Sequence, residues 1–210
     1  MDTNPRADRA QITEKVPSFE RFFEQEHLLT DRILDCATAI VKQLRALSDG
    51  ATISRDLYAA MALLVYLNEN FADQTHLPQE EAAIPLAVAR DMPSRDVEWV
   101  YSDHDQGCAY AKAAGVAWGR INTGDETDLP HAINDFARYT EGLVKMFAYH
   151  AEREDHSLFP EMARYLSDDD DLIMHVVTQI GPPDVSPYIT LVADMEQALG
   201  IRPPDSAPDG

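Results

Sequence analysis

The chain has 210 residues, 45% of them apolar and 26% charged, enough for one domain, at most with an appendage, whose core needs no disulfides. Its 17 Lys and Arg against 37 Asp and Glu leave a net charge of −20, which repels phosphate backbones and anionic lipid and argues against nucleic acid and membranes as partners. Bound cations would neutralise part of that carboxylate excess. No apolar run reaches the roughly 18 residues of a membrane span, and the polar start lacks the apolar stretch of a secretory signal. The two cysteines, Cys36 and Cys108, form neither a disulfide framework nor a CxxC pair, so a reduced, cytoplasmic setting is expected.

Residues 1–17 read as a polar leading segment. Ser18 can cap a first helix that runs to about Leu47 and stops at Gly50. A second starts between Thr52 and Asp56 and runs towards Arg90, interrupted at Pro78, with a bend expected at Pro85. Asp91, with Pro93 two residues on, opens a third that ends near Gly119. Asp128 and Pro130 open a fourth that reaches Pro160 or slightly beyond. Alternating Val/Ile/Thr runs are missing, so no strands are expected. Four long helices joined by short connections predict an all-α fold: an antiparallel up-down-up-down four-helix bundle over 18–166. A C-terminal helical extension follows over 167–200. It begins with SDDDDLIMHVVTQIG, whose Asp168 to Asp171 sit at the favourable end of a helix dipole. It continues with SPYITLVADMEQALG, opened by Ser186 and Pro187 and closed by Gly200. These helices are expected either to pack on the outside of the bundle or to form a homodimer contact. Residues 201–210 are a Pro-rich tail expected to be disordered.

The chemistry concentrates in four of the seven histidines. His76 and Glu80 are spaced i, i+4 in HLPQE, and His150 and Glu154 share that spacing in HAERE. Four residues are about 400° of rotation and 6 Å of rise, so each pair projects from one helix face. His27 and His104 stand alone on the other two long helices. All four lie on apolar stripes: Phe23 and Leu34 with His27; Val65, Ala72 and Ala83 with His76; Val97, Val100, Cys108 and Ala111 with His104; Leu143, Met146, Phe147 and Leu158 with His150. One such histidine is usually a satisfied core residue, and one i, i+4 pair is usually a minor surface contact. Four inward histidines and two carboxylates in one core are costly to bury unless they bind something, and a pair of metal ions meets that demand. Imidazole with carboxylate suits iron, zinc or manganese, and carboxylates shared between two ions suit a di-iron centre.

At these residues the chain resembles the hemerythrin-like, or HHE cation-binding, family, whose pattern is H…HxxxE…H…HxxxE. HAEREDHSLFPEMARYL (His150 to Leu166) is similar to the family's H-x3-E-D/E-x2-LFP segment, and HLPQEEAAIPLA (His76 to Ala87) to its HxPxEE…P counterpart. The two segments also read as a weak internal repeat. The resemblance covers roughly residues 18–166 and says nothing of the last 40 or so. It implies a four-helix bundle around an oxo- or hydroxo-bridged pair of iron ions. His27, His76, His104 and His150 become terminal ligands, and Glu80 and Glu154 become bridging carboxylates.

Oxygen-carrier hemerythrins place a second histidine four residues after the first on the third helix, where this chain has Cys108. They also place the last carboxylate where this chain has Asp155; Glu154 is preferred here because it shares the face of His150. Four histidines and two glutamates leave open metal positions, which favour turnover of small oxidants over reversible O2 carriage. Cys108 is more simply a small buried hydrophobe than a ligand. Tyr101 could line the pocket or pack with its hydroxyl satisfied. Glu81 and Asp155 could hydrogen-bond the outer N–H groups of ligand histidines. Glu24 with His27 is a lone ExxH, whereas ferritin-like sites need two. His131, His156 and His175 fall outside the pattern.

The expected function is therefore binding of, and reaction with, O2, peroxide or nitric oxide, in a peroxidase- or catalase-like detoxification. The alternatives are an oxygen, redox or iron sensor that signals through a protein partner, and a di-iron oxygenase of a small molecule.

Overall fold

The computed structural model describes residues 18–47, 52–166, 170–182 and 184–201. The leading segment, the tail from 202 on, the Gly50 stop and Asp168 and Asp169 lie outside them, as do the side chains of Ser18 and Asp170, whereas Ile201, expected in the tail, packs against the core. Among the described residues the chain is all helical, without a strand. Four helical stretches carry the fold. The first is α1 (Ser18–Arg45). The second runs from α2 (Arg55–Leu67) through a π-helical segment (Asn68–His76) into α3 (Leu77–Val88). The third is α4 (Glu98–Thr123), and the fourth runs from α5 (Leu129–Arg153) through a shorter π segment (Glu154–Leu158) into α6 (Phe159–Leu166). Two further helices follow, α7 (Asp170–Val177) and α8 (Ser186–Leu199).

Local chemistry explains most boundaries. The Ser54 hydroxyl accepts the Leu57 N–H at 3.2 Å and caps α2. Gly124 and Gly200, both at φ 69°, close α4 and α8 in the left-handed conformation that glycine takes without strain. The break expected at Pro78 is replaced by widened winding. Pro78 has no N–H to donate backwards, and the turn before it opens until the Leu77 N–H reaches Ala72 O, five residues back. Pro85 lies inside α3.

The third helix departs from expectation at both ends. Asp91 adopts φ 71° and ends the second stretch rather than opening the next; a 3-10 turn (Ser94–Asp96) intervenes before Glu98. Gly119 lies within α4, five residues short of the Gly124 stop. Asp128 does precede α5, but its carboxylate accepts from Arg120 instead of capping the helix.

The stretches pack in a closed order, α1 on α2, α2 on α4, α4 on α5, and α5 on α1. The α4–α5 contact is close at Gly107, where a Cβ would meet the Phe147 ring at 2.7 Å, and at Gly142, where one would meet the Tyr110 ring at 2.7 Å. Two large apolar cores result, beside a smaller cluster of Leu34, Leu77, Leu143 and Phe147. One gathers Ile40, Met61, Leu64, Phe71, Phe136 and Val192; the other gathers Phe19, Phe23, Ile84, Val100, Phe159 and Met162. Along every stretch the pattern histidine falls between the two cores. The C-terminal helices do not lie loosely outside: α8 contributes Val192, Met195 and Leu199 to the first core, and α7 contributes Ile173 and Val177 to the second.

Candidate metal centre

Each stretch delivers its histidine to one buried focus. His27, His76, His104 and His150 are 1–3% exposed, and Glu80 and Glu154 at most 1%. Their ligand-capable atoms form two groups: His27, His76 and Glu80 in one, Glu80, His104, His150 and Glu154 in the other. Glu80 is common to both. Its Oε1 lies 3.2 Å from His27 Nε2 and 3.5 Å from His76 Nε2, while its Oε2 lies 3.3 Å from His104 Nε2. Glu154 spans in the same way, with Oε2 3.4 Å from His27 Nε2 and Oε1 3.1 Å from His150 Nε2. The Nε2 atoms of His104 and His150 face each other at 3.0 Å.

This donor set fits a cation better than it fits itself. Glu80 Oε2 and both oxygens of Glu154 have no hydrogen-bond partner although they are buried. Such orphaned acceptors are expensive in a core, and positive charge placed among them satisfies all three. The groups could hold one ion in each half, with imidazole and carboxylate donors suited to first-row transition metals.

The outer nitrogens are equally ordered. The Nδ1–H of His27 donates to Asp155 at 2.7 Å, that of His76 to Glu26 at 2.9 Å, that of His104 to Glu81 at 2.8 Å, and that of His150 to Asp103 at 3.3 Å. A carboxylate can only accept, so each bond fixes the tautomer and leaves Nε2 pointing inward as a donor to a cation. Glu81 and Asp155 were legible as such partners; Glu26 and Asp103 were not. The missed signal is simple. All four outer acids are chain neighbours of a core residue, in the pairs Glu26–His27, Glu80–Glu81, Asp103–His104 and Glu154–Asp155, and each reaches across to the histidine of the next stretch.

Electrostatics follow from this packing. Burial pulls the His27 imidazole down, but the carboxylates of Asp155, Glu154 and Glu80 around it outweigh burial and hold it well above the ordinary histidine value. Burial likewise opposes His76, which Glu80 and Glu26 raise, and His104, which Glu80 and Glu81 lift to about 9. Burial pushes the Glu80 carboxyl up, yet the surrounding imidazoles hold it well below the usual carboxylate range. Protons thus occupy places that a cation would take.

The remaining expectations sort cleanly. Cys108 is half-buried, and its thiol donates to Asp73 at 3.0 Å, away from both groups. Burial, with Asp73 beside it, pushes that thiol up to about 12, so it is no thiolate at neutral pH. Tyr101 is exposed and does not line the centre. Glu24, His131, His156 and His175 are exposed as well. Beside His76 lies an apolar cavity of about 20 Å³, walled by Leu34, Leu67, Phe71, Leu143 and Phe147.

No family model, curated protein or solved structure compared with this chain matches it.

Proposed function

We propose that the chain is a hemerythrin-like protein, an up-down-up-down four-helix bundle that holds two iron ions and reacts with O2, peroxide or nitric oxide in a peroxidase- or catalase-like detoxification. The observation that carries this reading is the shared geometry of Glu80 and Glu154. Each turns one oxygen to each histidine pair, as bridging carboxylates do, and His27 with His76 and His104 with His150 then complete two near-equivalent halves. When bound, iron supplies one-electron chemistry and open coordination positions for a small ligand. The chain's own residues hold the imidazoles inward, exclude water and offer an apolar cavity only large enough for a very small guest.

The bundle topology draws support from the outer acids. Their offsets alternate: Glu26 and Asp103 precede their core histidines, whereas Glu81 and Asp155 follow their core glutamates. Reversing the direction of a right-handed helix exchanges i−1 for i+1 in space. Four acids that all point the same way around the bundle are what stretches alternating in direction would give, which supports the up-down reading.

Metal analysis of the purified chain, with its optical spectrum, tests the proposal. About two iron ions per chain are expected, roughly 3.5–4 Å apart, together with consumption of added peroxide. One ion per chain, or zinc alone from iron-replete cells, overturns it.

A further inference from the structure

The segment linking α7 to α8, and the start of α8, close on the π-helical turn that ends at His76. The Asn70 carbonyl accepts from the Thr75 hydroxyl at 2.8 Å and from the Tyr188 hydroxyl at 3.1 Å, and the two hydroxyls lie 3.1 Å apart. The Tyr188 ring rests on Phe71, at 5.0 Å between centroids, and Phe71 stacks on the His76 imidazole at 5.5 Å and 11°. Three residues beyond His76, the Gln79 side chain is fully buried and its amide donates to Val177 O at 3.1 Å and to Pro182 O at 3.5 Å. Gly181 sits so close that a Cβ there would strike the Thr75 methyl and come within 3.2 Å of the Gln79 amide.

We infer that the C-terminal helices are a clamp on the ligand-bearing π turn, with Tyr188 and Gln79 as positioning residues for His76. A π turn is rare and occurs mostly as a single-turn interruption of an α-helix, so its geometry calls for outside support. The extension supplies that support on both sides of His76, at Thr75 and at Gln79. Its packing is also one-sided: α7 rests on α1 and α3, and α8 on α1 and α2, the stretches that bear His27, His76 and Glu80. The clamp thus sets one half of the centre. The consequence for metal binding rests on the reading proposed above; the consequence for the backbone does not.

The test compares full-length wild-type protein with Tyr188→Phe, which keeps the ring on Phe71 and deletes only the hydroxyl. In metal-stripped protein, amide hydrogen exchange over residues 72–79 should rise about tenfold, the effect of one lost hydrogen bond on local opening, while residues 150–158 keep their wild-type rates. Gln79→Leu should act on the same amides, and Ile189→Ala, on an exposed position of α8, should act on none. Cobalt(II) titration followed by visible absorption should then show one of two bound equivalents weakened about tenfold in Tyr188→Phe and the other retained. Unchanged exchange at 72–79, or an equal rise along the whole chain, overturns the clamp. If wild-type protein takes up no cobalt, the metal reading falls, and the exchange measurement still decides the clamp.

Discussion

HLPQE and HAERE carry the same histidine–glutamate spacing but are mounted in opposite ways. In the first, the π segment precedes the pair and ends on His76; in the second, the π segment follows and begins on Glu154. Both π segments end two residues before a proline, Pro78 or Pro160, so the missing proline N–H has a parallel effect in each. Their surroundings differ more. The outer partner of His76 is Glu26, 1% exposed, whereas that of His150 is Asp103, whose side chain is 25% exposed. The C-terminal helices brace the first pair. One motif thus yields two supports, a buried and braced one for His76 and one closer to water for His150, and each can be attacked separately.

The largest effect should come from removing what the halves share. Glu80→Ala and Glu154→Ala each withdraw a carboxylate from both histidine pairs, so bound metal should fall from about two ions to below one and the visible absorption should be lost. A variant that keeps one full ion would show that the halves are independent. Metal removal should come next. Stripped protein leaves three buried acceptors unpartnered and should melt at least about 10 °C below the loaded form.

That gap has a pH dependence with a definite sign. In stripped protein, His27, His76 and His104 lie above their unfolded value of about 6.5, and His104 reaches about 9. Their protonated forms contribute stability that is fully present below about pH 6.5 and lost as pH rises through the folded values. Glu80, held low, contributes above its unfolded value and loses that contribution only in acid. The difference in melting temperature should therefore widen from about pH 6 to about pH 9, because a cation replaces protons that are leaving anyway. A gap that narrows over this range would contradict the arrangement.

The halves should separate when their outer acids are neutralised. Glu26→Gln removes a buried charged hydrogen bond and should destabilise by about 2 kcal/mol; Asp103→Asn, nearer solvent, should cost under about 1 kcal/mol. Equal losses in chemical denaturation would erase the distinction between the buried support of His76 and the wetter support of His150. The smallest effects belong to bystanders. His131→Ala, His156→Ala and His175→Ala should stay within about 0.5 kcal/mol of wild type with metal content unchanged. Cys108→His should also leave metal content unchanged, since position 108 turns towards Asp73.

How far the site could be read beforehand follows from the same two mountings. The i, i+4 spacing singled out four side chains and the apolar stripes added His27 and His104; the six do meet, because each pair lies within one or two turns and local winding barely alters its face. The phase of the chain before His76 was misjudged. Val65 and Ala72, expected on its stripe, are only half-buried, whereas Leu64, Leu67 and Phe71 are buried. Phe71 is five residues before His76, the hydrogen-bonding step of a π turn rather than of an α turn. Proline marks where such a turn can form, but not that it will. Pairs such as Glu26 with His76 join residues 50 positions apart, and no local periodicity encodes them. The packing of α7 and α8 was undecided for a similar reason: an apolar face shows that a helix must be covered, not by which part of its own chain.

The four outer acids also form a circuit with a sense of rotation. Glu26 of the first stretch holds the histidine of the second, Glu81 of the second that of the third, Asp103 of the third that of the fourth, and Asp155 of the fourth that of the first. Arranged in the opposite circular order, the same four helices could still bury their apolar faces and bring six donors to the centre. Every acid would then sit on the wrong flank of its histidine, and all four links would be lost together. Hydrophobic patterning cannot tell these mirror-related arrangements apart; a directed ring of carboxylates can, and it makes the handedness of assembly a property of the residues beside the candidate metal centre.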